Sequence, residues 1–131
     1  MPRTKIADAA GLTVADVIHE RFTALPSSAT VGEVRDWFAA SSSRRMAILA
    51  EDGRYVGSLT PADLTGEVDL ERPAAEVTKR GPTIAPEASA RAGEELALST
   101  AARRVAVVDG DGRLLGIVSV TGDLTAFCGT G

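Results

Sequence analysis

The sequence predicts an α+β fold made of two pseudo-symmetric repeats packed through their small sheets. Three observations carry that expectation. The run RRMAILAEDGRYVGSLT, opening at Arg44, returns 59 positions later as RRVAVVDGDGRLLGIVS, which sets Arg45 on Arg104, Gly53 on Gly112 and Gly57 on Gly116. Upstream, Thr23 to Pro26 corresponds to Thr83 to Pro86 at an offset of 60. Each copy then shows helical and strand-like apolar periods in one order: helix, strand, helix, strand, strand, helix. A unit of about 60 residues buries too little surface to be comfortably stable alone, so the copies are expected to pack together.

Taken in chain order, residues 1–12 read as an N-terminal arm, 13–66 as the first repeat, 67–72 as a linker, 73–128 as the second repeat and 129–131 as a tail. Thr13 caps a predicted helix from Val14 to Glu20, with Val14, Val17 and Ile18 on one face. An extended piece from Phe22 to Leu25 stops at Pro26. Thr30 and Glu33 have capping-box spacing, and Val31, Val34, Trp37 and Phe38 form the apolar face of the helix that follows. Met46 to Ala50 and Tyr55 to Leu59 read as a hairpin turning at Gly53, which is free to take positive φ. Thr60, Pro61 and Asp63 then start another helix. In the second copy the same plan predicts a helix from Pro73 to Lys79, a strand from Thr83 to Ala85 and an Ala-rich helix from Ala88 to Ala101 carrying Leu96 and Leu98. A hairpin from Val105 to Asp109 and Leu114 to Val120, turning at Gly110 to Gly112, and a helical turn from Asp123 to Phe127 complete it.

Composition narrows the function. Hydrophobic content of 44% and charged content of 24% are ordinary for a globular chain, and aromatics at 4% leave the core to Val, Ile, Leu and Ala. A net charge of −4 argues against nucleic acid as a partner. No stretch has the length of a membrane span or the apolar run of a signal peptide, and Cys128 is alone, which together point to the cytoplasm. One histidine and one cysteine, far apart, supply neither a zinc site nor a catalytic triad, so a metal site and an enzyme are not expected. Arg outnumbers Lys twelve to two, a bias typical of GC-rich bacterial genomes.

The ordered set of features resembles the cystathionine-β-synthase (CBS) domain pair, the Bateman module. Each copy has a threonine–x–x–proline start, a helix, and a buried strand after an Arg pair (MAILA and VAVVD). Each also has a glycine-bearing hairpin partner (YVGSLT and LLGIVS) and a hydroxyl residue before an Asp. The resemblance implies a non-catalytic regulatory module of the standalone bacterial type that needs no cofactor, pairs into a homodimer and serves an unknown protein partner. Its clefts would take an adenosine-containing ligand: AMP, ADP, ATP or S-adenosylmethionine. In the first copy it assigns the adenine to Thr23, Ala24, Leu25, Met46, Ala47 and Ile48 and the sugar and phosphate to Thr60 and Asp63; Arg45, just before the strand, is a candidate phosphate ligand. The counterparts in the second copy are Thr83, Ile84, Arg104, Val105, Ala106, Ser119 and Asp123.

Local chemistry is compatible with that assignment. The start of a helix offers free N–H groups, the Thr60 hydroxyl is a donor, and an ionised Asp63 accepts from paired ribose hydroxyls. Thr60 and Asp63 equally make a plain capping pair, and the Arg pairs equally make solvated charges beside a buried strand. The second copy departs from the pattern. At the offset of 59, Asp63 falls on Gly122, with Asp123 one place later, so the second site is expected to be weakened, altered or empty. The competing function is a ligand-free dimerisation or protein-interaction scaffold with vestigial sites.

Overall fold

A computed structural model describes residues 5–19, 22–42, 44–66, 69–78 and 81–127. It divides into two compact units, one made of 23–81 and the other of 1–22 with 82–131. Each unit holds a three-stranded sheet and its own apolar core.

In the unit 23–81, β1 (Ala24–Pro26) runs parallel to the central β2 (Ala47–Glu51), and β3 (Arg54–Leu59) returns antiparallel to β2. In the other unit, β4 (Thr83–Ile84), β5 (Arg104–Val108) and β6 (Leu114–Ser119) repeat that order and those directions. Even the irregularities match. The pairing skips Val56 between Gly57 and Tyr55, and it skips Leu115, the residue 59 positions on, between Gly116 and Leu114. Both hairpins are as predicted, and the first is tighter, with φ of 52° at Asp52 and 79° at Gly53. Pro26 sits at the end of an edge strand, where its missing N–H breaks no ladder.

Strand parity sorts the side chains. Leu25, Ala47, Leu49 and Leu59 enter the first core under α2 (Val31–Ala39), together with Val31, Val34, Leu64 and Ala74. Val105, Val107, Val118 and Val120 enter the second core under α3 (Ala90–Leu98), together with Val14, Val17 and Phe127. Residues paired in register share a face, so Ala24, Ile48 and Ser58 lie on the opposite side of the first sheet. Arg104, Thr83, Ala106, Ile117 and Ser119 lie on the corresponding side of the second.

The N-terminal segment completes the second sheet's unit. Helix α1 is shorter than expected, Val14–Val17, because the backbone beyond it is captured by β6: His19 N–H donates to Ile117 O at 2.8 Å, and Ile117 N–H to His19 O at 3.1 Å. Glu20 lies outside the described residues. Gly116 makes this approach possible, since a Cβ there would lie 2.7 Å from His19 O. Gly93 does the same for α1 on α3, where a Cβ would lie 3.1 Å from Val14 Cγ2. In the unit 23–81 the piece after the linker plays the matching part as a 3-10 turn, Ala74–Glu76, whose Ala74 N–H donates to Ala29 O at 2.8 Å. That turn replaces the helix expected from Pro73, and Lys79 lies outside the described residues.

Three further expectations are corrected. The helix after Thr60 is a single 3-10 turn, Pro61–Leu64, because Leu64 enters the core after one turn. The Ala-rich helix runs only from Ala90 to Leu98, held at its start by the Ser89 side chain accepting from Ala92 N–H. No helical turn covers 123–127. Leu124 takes a φ of 64°, Thr121 N–H donates to Ala126 O, and Phe127 bridges Val120, so the chain doubles back and buries Phe127 fully.

Candidate functional site

In the first repeat the predicted site residues fall at the ends and on both faces of the β1–β2–β3 sheet. Ala24 and Ile48 pair in register on the face away from the core, with Ala24 exposed and Ile48 buried. Leu25 and Ala47 point into the core, so their side chains are spent on packing. Thr23 and Arg45 are exposed and Met46 is half-buried.

Thr60 and Asp63 close a capping box around the 3-10 turn. The Asp63 Oδ2 oxygen accepts from Thr60 N–H at 2.7 Å and from Thr60 Oγ1 at 3.1 Å. Both acceptor contacts go to one oxygen. Oδ1 has no partner among the described residues and Asp63 is exposed, so the cap orients the carboxylate and leaves one edge open. The helix-dipole part of the expectation is withdrawn, because one 3-10 turn aligns too few peptide units.

The second repeat arranges its counterparts differently. Thr83 and Ala106 pair on the face away from the core, where Ala106 is buried, while Ile84 packs against the core and Val105 is buried within it. Arg104 donates its Nη1 to Ala102 O at 3.0 Å, and its backbone is bracketed by the Thr100 hydroxyl. Ser119, at the register of Thr60, is 2% exposed and its hydroxyl meets no partner among the described residues. Asp123 does not cap it. Its Oδ1 instead accepts from Thr121 Oγ1 at 2.7 Å, Thr125 Oγ1 at 2.7 Å and Thr125 N–H at 3.1 Å. Those bonds, the Thr121 hydroxyl first, lower the Asp123 carboxyl from 3.8 to about 2. The one-residue shift therefore leads to a different turn.

Two neighbours of the site went unmarked in the sequence reading. Tyr55 is buried, receives Gly81 N–H at 3.2 Å and donates to Ser58 Oγ at 3.4 Å, fastening the end of this unit to β3. Thr121 and Thr125 take over Asp123, and a T-x-D-x-T pattern is visible in the sequence as a local hydrogen-bonded turn. Arg44 is also settled: its Cζ stands 4.5 Å from the Trp37 ring centroid and its Nη1 donates to Trp37 O at 2.5 Å.

A CBS-domain family model matches residues 74–121. The fold is that of a CBS-domain pair. Two solved structures with TM-scores of 0.70 are CBSX2, a CBS-pair protein of Arabidopsis thaliana, in complex with AMP, and the CBS domain protein PAE2072 of Pyrobaculum aerophilum, complexed with AMP. They are 21% and 23% identical to this chain, covering 83% and 82% of it and 90% and 87% of their own lengths. Inosine-5'-monophosphate dehydrogenases of Mycobacterium bovis and Mycobacterium tuberculosis are 35% identical over 75 residues, 56% of this chain. The chain covers only 14% of those enzymes' length. Among the described residues no helix is long and apolar enough to cross a membrane, and no group of three or more His, Cys, Asp or Glu side chains is placed to hold a metal ion.

Proposed function

We propose that this CBS pair is a regulatory module that binds an adenine nucleotide, with the first repeat reading the ribose. The observation that carries the proposal is the Asp63 carboxylate, oriented through Oδ2 by Thr60 and open at Oδ1. An oriented, exposed carboxylate oxygen is a charge-assisted acceptor for a vicinal diol. The AMP bound by two proteins of the same fold supports adenosine as the ligand class. Ala24 and Ile48 give the adenine an apolar surface, and the backbone of β1 and β2 gives its edge hydrogen-bond partners. Arg45 meets the phosphate.

Titration calorimetry with AMP, ADP, ATP, S-adenosylmethionine and 2'-deoxy-AMP tests this reading, with sedimentation in parallel to detect a homodimer. At about 100 times its dissociation constant the true ligand adds about 2.7 kcal/mol of stability. Asp63→Ala removes hydrogen bonds to a charged group, worth about 1.5–3 kcal/mol, and so weakens binding by roughly 10- to 150-fold. The scaffold reading draws support from the unpartnered Ser119 hydroxyl and the diverted Asp123. It takes over if no adenosine compound binds and a stable dimer persists.

A further inference from the structure

We propose that the unit of the second sheet carries a site of another kind, a cavity between the N-terminal segment and α3 that takes a small organic cation. The ligand is an amine on an apolar body. The site stands apart from the nucleotide reading, since none of the residues assigned to the nucleotide lines the cavity.

The cavity measures about 720 Å³, inside the range of about 300–1,000 Å³ that small-molecule sites occupy. Its wall is fastened at both ends. Ile6 N–H donates to Thr125 O at 2.9 Å and Lys5 bridges Ala126, which ties one end of the segment to the returning chain. Ala90 N–H donates to Leu12 O at 2.9 Å and Val14 N–H to Ala88 O at 2.7 Å, which ties the other end to the start of α3. Between these ties the chain turns at Gly11, whose φ of 83° suits glycine. Backbone hydrogen bonds thus preform the cavity, and a ligand meets little ordering cost there.

The lining combines an apolar floor with acid. Ile6, Ala9, Leu12 and Phe127 belong to the second core or pack against it, and they offer an organic body its surface. Glu87 and Glu94 stand on the wall made by α3 and the chain just before it. Among the described residues neither carboxylate has an ion pair or a hydrogen bond, and Glu94 is half-buried. Arg91 also lines the cavity but is engaged, its Nε 3.3 Å from Glu95 Oε1. A half-buried carboxylate without a partner is costly, and an ammonium group that donates to it offsets the cost with a charge-assisted bond. The same two carboxylates repel an anion.

The other unit supplies the contrast. It has a smaller cavity of about 350 Å³ between α2 and the 3-10 turn, lined by Leu64 as the larger one is by Phe127. At the offset of 59, Glu94 falls on Arg35, which lines that smaller cavity, and Glu87 falls on Ser28. The place is common to both repeats; the acidic lining belongs to one.

Calorimetric titration of the full chain with 3-phenylpropylamine, 3-phenylpropanol and 3-phenylpropionate tests the site, because these probes share a body and differ in the head group. Saturable binding of one amine per chain is expected, with the alcohol about tenfold weaker and the propionate weaker still. Amide shifts in NMR spectra should gather at Ala9 to Thr13 and at Glu87 to Glu94. Glu94→Gln should weaken the amine about tenfold and the more exposed Glu87→Gln a few-fold. Glu94→Arg, which copies the smaller cavity, should reverse the preference between amine and propionate. If Glu94→Arg does not fold, the two glutamine variants, which keep the side-chain shape, carry the test. An amine that does not saturate, binds no tighter than the alcohol, or keeps its affinity in both glutamine variants overturns the site. Displacement of the amine by excess AMP overturns it too, because the two ligands would then share one cleft.

Discussion

β3 and β6 leave near-identical sheets by different routes. After Leu59 the chain closes a capping box at Thr60 and Asp63, makes one 3-10 turn and drops Leu64 into the core. After Ser119 it passes Gly122, ties Asp123 to two threonines, turns at Leu124 with positive φ and returns to bury Phe127. Both routes give the core an apolar plug. Only the first, among the described residues, leaves an oriented carboxylate edge without a hydrogen-bond partner. The comparison teaches that the strands, which build the core, keep their pattern between the copies, while the few residues after them diverge and decide where each carboxylate is held.

The plugs offer the sharpest way to break the comparison. Phe127 is fully buried, so Phe127→Ala should cost about 3–5 kcal/mol in urea denaturation, and Leu64→Ala about 2–5 kcal/mol. A cost well under 1 kcal/mol for Phe127→Ala would show that the returning segment is not part of the second core. A smaller effect tests the close approach at the other end of β6. Gly116→Ala sets a Cβ against His19 O and the Ile18 side chain, so a loss of about 1–3 kcal/mol is expected, with early hydrogen exchange at His19.

The smallest effect is electrostatic and belongs to one route alone. Asp123 titrates at about 2 in the folded chain, below its ordinary 3.8, so its contribution is present above about pH 4 and is lost as pH falls toward 2. Asp123→Asn should flatten that part of the acid-unfolding curve followed by circular dichroism, and Thr121→Ala should reduce it. An unchanged acid limb in both variants would remove the Thr121–Asp123–Thr125 turn from the account.

Much of this was legible before the structure. The repeat located all six strands to within a residue or two, because alternating apolar residues and a glycine turn specify a hairpin locally. The shift of Asp63 to Gly122 was visible as a departure from symmetry. Helix lengths were less legible. The signals at Val14 and Pro73 are real starts, but backbone pairing at His19 ends the first, and in the second only a 3-10 turn, Ala74–Glu76, is formed. Side-chain direction was less legible for a related reason. A strand segment names both faces, and register decides that Leu25, Ala47, Ile84 and Val105 belong to cores while Ala24, Ile48, Thr83 and Ala106 do not.

By itself, then, the sequence determined the repeat, the strand order within it and the residue at which the copies part, since each is written in local spacing. Tertiary structure decided what the parting does. Whether Asp123 caps, whether an arginine of the pair finds a ring, and whether Phe127 ends a helix or plugs a core depend on backbone paths and on neighbours far along the chain. Those choices follow from long-range packing and from the cost of leaving buried polar groups unpaired, and spacing along the chain encodes neither.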